Sequence, residues 1–257
     1  MAIICREYGI LFLMSPRTGC TALGQALINE LNGEFLPEES IFDEKGFFKV
    51  QSKHCSLKEL ISNNILTQKE ASSLIKFASV RNPFDSLVSL YEKKRNKYSS
   101  LKLNSESWIY KVPGYVKDME YCEKHSFSQW IIKRYCKHYI KNSMIPSPNF
   151  TMYKKFTEQA DFVLKFESLQ EDFSSFLKSI KIDKEITIPI INQTSSRKSD
   201  YRCYYNSISR QIVRRAFRED FRRYGYSFQE YFPGINYPLR RFLAINIPAP
   251  FRNSALH

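Results

Sequence analysis

The sequence predicts an α/β fold of three layers, with a central, mainly parallel sheet flanked by helices. Three observations carry this. Short apolar runs at 8–15, 74–80 and 160–167 have the near-continuous hydrophobicity of strands buried on both faces. Helical patterns follow them, and strands that alternate with helices build parallel sheets. No Gly-, Ser- or Pro-rich tract is long enough for a linker, so the 257 residues are read as one domain, 1–257.

In chain order, "YGILFLMS" (8–15) is the first strand, and residues 21–31 then place Leu23, Ala26, Leu27 and Leu31 at helical spacing. Two polar-faced helical patterns occupy 56–76, and "LIKFASV" (74–80) is the second strand. It stops at "RNP". Pro83 disfavours helical geometry at Asn82 but suits a first helical position, and Asn82 is a good N-cap, so a helix starts there. Phe84, Leu87, Val88 and Tyr91 form its apolar stripe.

Residues 97–125 read as irregular, 126–139 as an amphipathic helix and 145–150 as a Pro-broken loop. A third strand (160–167) and a helix (171–180) follow, then a loop at 192–205 and a basic helix over 207–224. A proline-bearing tail, about 232–257, is expected to lie extended over the surface. In such a fold ligands bind beyond the C-terminal ends of the strands.

Thirty-nine Lys and Arg against 26 Asp and Glu give a net charge of +13, which calls for an anionic partner without choosing one. The six cysteines, at 5, 20, 55, 122, 136 and 203, form no CxxC pair and fit a reducing compartment. The run "GILFLM" is far shorter than the ~20 residues of a membrane span, and a basic leader is missing, so a cytoplasmic chain without a membrane span is expected. The four His and six Cys lack metal-ligand spacing, and no metal is expected.

The turn "SPRTGCT" (15–21) joins the first strand to the first helix and so aims backbone N–H groups and the positive end of a helix dipole at one place. Gly19 permits the bend, Thr18 and Thr21 offer hydroxyls, and Arg17 adds a planar, permanently charged fork. The turn is P-loop-like, but the Gly-Lys-Ser/Thr ending that a nucleoside-triphosphate site needs is absent. A second segment, "VRNPFDSLVSLYEKKR" (80–95), puts Arg81 at a strand end and Ser89 off the apolar stripe, free to face a cleft. Read alone, Arg81 equally suits a pair with a local carboxylate.

Together, "SPRTGCTAL" and "VRNPFDSLVSLY" resemble the sulfotransferase family, closest to its carbohydrate-type and bacterial branches. The resemblance implies sulfuryl transfer from 3′-phosphoadenosine 5′-phosphosulfate (PAPS), without metal, to a hydroxyl on a carbohydrate or other small alcohol. It implies that Arg17, Thr18, Gly19, Cys20 and Thr21 hold the 5′-phosphosulfate and that Arg81 and Ser89 hold the 3′-phosphate. Arg17 stands where the cytosolic branch commonly has Lys; it can stabilise charge but cannot give up a proton. "DFVLKFESLQEDF" and "INQTSSRKS" with "REDFRRYGYSF" resemble later parts of the family more weakly. Arg197 and Lys198 lie where a basic loop closes over the cofactor, or are simply solvated.

His54, in "SKHCSLKEL", lies between the two motifs and is the candidate base, since an imidazole with pKa near ~6.5 is matched to neutral pH. Lys53 either assists beside it or is solvated; His125 and His138 carry no role. The competing class is a non-catalytic basic protein that binds nucleic acid or another polyanion, against which stands the dispersal of the Lys and Arg without a nucleic-acid motif. The acceptor's identity and the oligomeric state are open at this stage.

Overall fold

A computed structural model describes residues 2–136, 150–191 and 200–228. Its centre is a five-stranded sheet of order β3-β1-β2-β6-β7, built from β1 (Ala2–Cys5), β2 (Ile10–Leu13), β3 (Glu34–Leu36), β6 (Ile75–Val80) and β7 (Phe162–Lys165). β2 pairs in parallel with β6, and β6 with β7, while β1 runs antiparallel to both β2 and β3. All strands but β1 therefore point the same way. The α/β fold with a mainly parallel sheet is as expected.

Alternation sorts each strand's side chains onto two faces. Ile3, Phe12 and Phe77 enter one core with Leu23 and Leu27 of α1 (Cys20–Leu31) and with Phe173 and Phe176 from the helix that follows β7. Ile4, Leu11, Leu13 and Ala78 enter the other with Leu57 and Leu60 of α2 (Leu57–Ser62) and Ala71 of α3 (Gln68–Ser73). These are the three layers. Capping boxes start both short helices: Ser56 with Glu59, and Thr67 with Glu70.

A third core lies outside the sheet, where Phe84, Leu87 and Tyr91 of α4 (Pro83–Glu92) meet Phe127 and Trp130 of α6 (Phe127–Ile131) and Val213 of α9 (Ser207–Ala216). As predicted, Asn82 caps α4, its side chain accepting from the Phe84 N–H at 3.1 Å, with Pro83 at the first position. α4 runs on into a π-helical turn at Lys93–Lys97, and α6 into another at Ile132–Cys136.

Several elements differ from the sequence reading. The first strand is shorter, because Met14 and Ser15 already belong to the turn. β1, β3 and the hairpin of β4 (Ile41–Phe42) and β5 (Phe48–Val50) were not expected; runs of two to four residues carry no period to detect. Residues 97–125 hold 3₁₀ turns and a full helix, α5 (Tyr115–Lys124), whose apolar stripe is thin: only Met119 and Cys122 are buried.

The basic helix divides at buried Phe217 into α9 and α10 (Arg218–Tyr224). α7 (Lys154–Thr157) and α8 (Leu169–Ser179) lie between α6 and α9. Residues 137–149, 192–199 and 229–257, with His138, Arg197, Lys198 and the tail, lie outside the described residues.

Phe77 is fully buried and its ring centroid lies 4.7 Å from Phe12 and 4.5 Å from Phe176, at the point where sheet and helices meet. Phe77→Ala is expected to lower unfolding free energy by about 3–5 kcal/mol in urea titration. Leu103→Ala, at a side chain 92% exposed, should change it by no more than about 0.5 kcal/mol.

Candidate active site

The link from β2 to α1 bends through two left-handed residues, Arg17 (φ 69°) and Gly19 (φ 74°). A Cβ on Gly19 would lie 2.9 Å from Leu169 Cδ2 and 3.1 Å from Phe166, so the position needs glycine for space as well as for φ. Gly19 is also the N-cap of α1 and gives it no side-chain cap. The first-turn N–H groups of α1 thus face outward without a capping oxygen, at the positive end of the dipole. This is an anion-binding geometry.

Arg17 pays for its backbone conformation with roughly 1–2 kcal/mol of strain, and neighbours hold it there. Arg81, just past the end of β6, donates from Nη1 to the Arg17 carbonyl at 3.1 Å. Thr18 Oγ1 donates to the Ser15 carbonyl at 2.9 Å and accepts from Ser79 Oγ of β6 at 2.6 Å. The Thr18 hydroxyl therefore faces inward and locks the turn; its backbone N–H is what it can present to an anion. Thr21 is half-buried, and Cys20 is buried, its thiol pKa raised by that burial.

Arg81 is only 9% exposed. Its Nε donates to Asp85 Oδ2 at 2.6 Å, Nη2 pairs with the same oxygen, and the guanidinium lies 4.1 Å from the centre of the Phe166 ring. The local carboxylate pair that the sequence allowed is thus present, and it orients Arg81 toward the turn. Beside it, the Asn82 N–H donates to Glu167 Oε1 at 2.8 Å and its amide to the Ser227 carbonyl at 3.0 Å. Ser89 is 4% exposed: it lies two turns into α4, covered rather than open to a cleft as expected.

His54 is brought to the same turn from the other side. It too is left-handed (φ 77°), and its Nδ1 lies 2.8 Å from the Met14 carbonyl. A carbonyl can only accept, so the neutral ring carries its proton on Nδ1 and leaves the Nε2 lone pair free. Burial lowers the His54 pKa to about 3; the Met14 carbonyl opposes this, and the charges of Lys53 and Arg17 add to it.

One further cation, Lys93, belongs to this group, and the sequence reading did not select it. Lys93 begins the π-helical turn one helical turn beyond Ser89, and the i, i+4 spacing of Asp85, Ser89 and Lys93 was the available signal. Burial, with the charges of Arg17, Lys97 and Lys53, lowers its pKa to about 7, against a smaller opposite effect of Cys20.

At the end of that turn Tyr98 accepts from Arg17 Nη1 at 3.2 Å. Trp108 stands edge-on to Tyr98, with centroids 5.3 Å apart, and Tyr115 lies 5.0 Å beyond. Arg17, Lys53, His54, Lys93 and Tyr98 therefore gather around one turn, with Arg81 behind it.

Among the described residues no group of three or more His, Cys, Asp or Glu could hold a metal, and no helix is long and apolar enough to cross a membrane. Residues 1–227 match the family model described as "Sulfotransferase family". No curated protein and no solved structure matches the chain.

Two outcomes follow from this geometry. Thr18→Val removes both partners' buried hydrogen bonds and should cost about 1–3 kcal/mol in chemical denaturation, with most of the loss restored in Thr18→Ser. His54 stays neutral when folded down to about pH 3 but takes a proton near 6.5 when unfolded. Its contribution is full above pH 6.5 and is lost as pH falls toward 3. His54→Asn, which tolerates positive φ, should flatten that part of the stability–pH curve.

Proposed function

The chain belongs to the sulfotransferase family, and from that premise we propose that it takes a sulfuryl group from PAPS and places it on the hydroxyl of a carbohydrate or other small alcohol. The observation that supports this reading is the hydrogen bond from Arg81 to the Arg17 carbonyl, which brings two motifs sixty-four residues apart into contact beyond the C-terminal ends of β2 and β6. The uncapped start of α1 beside it fits a phosphate or sulfate. Cytoplasmic residence is part of the same proposal, in keeping with six free thiols.

PAPS, when bound, supplies a sulfuryl group carried on a phosphate leaving group. The first-turn N–H groups of Gly19, Cys20 and Thr21, with that of Thr18, hold its 5′ end. Arg81, through the N–H groups not engaged by Asp85 and Arg17, holds the 3′-phosphate, and the Ser89 hydroxyl, covered in this structure, joins it once its cover is displaced. His54 Nε2 takes the acceptor's proton as the oxygen–sulfur bond forms and the sulfur–phosphate oxygen bond breaks in line.

Arg17 meets the negative charge that grows on the departing oxygens. It is preset for this by Tyr98 and by its own constrained backbone. Arg197 and Lys198 remain candidates to cover the cofactor.

Transfer of labelled sulfate from PAPS to a panel of glycans and alcohols tests the reading. Arg17→Ala should lower turnover about 10²- to 10³-fold and His54→Ala roughly 10²- to 10⁴-fold. Arg81→Ala should weaken binding of the product nucleotide PAP by about 10- to 100-fold. Unchanged PAP affinity in Arg81→Ala, or an intact cleft that binds PAP without any turnover, would sink the proposal, the second outcome in favour of a silent polyanion-binding protein.

A further inference from the structure

Two exposed features have no part in the sulfuryl transfer proposed above. One is the β4–β5 hairpin, whose Ile41–Val50 pair packs into the core beside α2 while the next pair along, Phe42 with Phe48, stacks with ring centroids 5.1 Å apart. Phe42 is 48% exposed. Residues 34–49 hold five carboxylates against two lysines in a chain of net charge +13. Of these carboxylates, Glu38, Glu39 and Glu44 are exposed and have no ion pair among the described residues.

The other feature is a chiefly apolar cavity of about 120 Å³ on the flank of α9, with Tyr135, Phe150, Ile208, Ile212 and Arg215 in its wall. Ser209, Val213 and Ala216 are the buried side of α9. Ile208, Ile212 and Arg215, at i, i+4 and i+7, form a second flank, and Ile208 is 58% exposed. α9 and α10 together carry six arginines against Glu219 and the buried Asp220. Arg214, Arg218 and Arg222 are exposed, without an ion pair among the described residues.

Each feature supplies what the other lacks. An apolar cavity of about 150 Å³ takes up benzene, so a hole of this order accepts one Phe ring. No residue of the hairpin lines the cavity of its own chain. Nucleic acid or an acidic lipid surface would answer the arginines, but would leave the Phe42 knob and its carboxylates unused.

We propose that the chain self-associates head to tail. The Phe42 ring of one copy enters the α9 cavity of the next, and the hairpin carboxylates lie along the arginines of α9 and α10. Every copy has one hairpin and one cavity, so the contact is heterologous and repeats from copy to copy. Opposite fields of this kind speed the encounter and weaken with salt.

Sedimentation velocity of the full chain tests the contact. The weight-average mass should rise above the 30.4 kDa of one chain as concentration increases, and fall back at high salt. Phe42→Ser and Ile208→Asp should each weaken association at least about tenfold, whereas Leu103→Ser, at another exposed apolar side chain, should leave it unchanged. Phe42→Ser keeps the cavity and Ile208→Asp keeps the hairpin, so an equal mixture of the two should recover a complex of two chains and nothing larger.

A monomer at every concentration, an association unchanged in either variant, or a mixture that stays monomeric although circular dichroism shows both variants folded, overturns the proposal. So does a monomer that binds phosphatidylglycerol vesicles and loses them in Ile208→Asp, which gives the α9 face to lipid instead.

Discussion

The site depends on one guanidinium. Arg81 touches β7's end through the Phe166 ring, α4 through Asp85 and the β2–α1 turn through the Arg17 carbonyl. A short turn with two left-handed residues out of three does not persist without such support, because the strain at Arg17 alone is comparable to a typical net hydrogen bond. Arg81 and the Thr18–Ser79 hydroxyl pair provide it from β6, the strand next to β2. The parallel pairing of β2 and β6 is therefore what brings the two motifs together: their C-terminal ends lie side by side, and side chains beyond each end meet.

This explains which parts were legible in the sequence. β6, β7 and the core of β2 showed as apolar runs because both faces of the sheet are covered, and the α4 start showed because Asn-Pro carries its own capping signal. The motif residues at 17–21 and 81 were legible as chemistry. What they do for each other was not, since Arg81's bond to a backbone carbonyl requires the strand pairing first. Nor does any residue type announce that Arg17 and His54 take positive φ, a conformation imposed on them by surrounding contacts. Ser89 was read as open from helical phase alone, and phase does not show what lies over a face.

His54 has an electrostatic setting that opposes a simple base. Removed from water and placed near Lys53 and Arg17, its ring resists protonation in the free chain. An anion beside Lys53 and Arg17 offsets their share of that lowering, which is smaller than the share of burial. In the proposed reaction His54 therefore acts as a weakly basic nitrogen, whose basicity rises as the anion site fills. The fixed Nδ1 tautomer serves in both states, since the Met14 carbonyl belongs to the turn itself.

A second charge network fixes the helical turn that follows α4. Asp118 of α5 accepts from Trp130 Nε1 at 3.0 Å and pairs with Lys94 and Arg134, tying the π-helical turn to α5 and α6. Lys94 is buried and anchored there, and Tyr98, which caps the same turn, accepts from the Arg17 guanidinium. A buried ion network adds little net stability on its own, but leaving one member unpaired is costly, so it holds geometry strongly. The Asp118 network thereby fixes the turn from which Tyr98 reaches the Arg17 guanidinium.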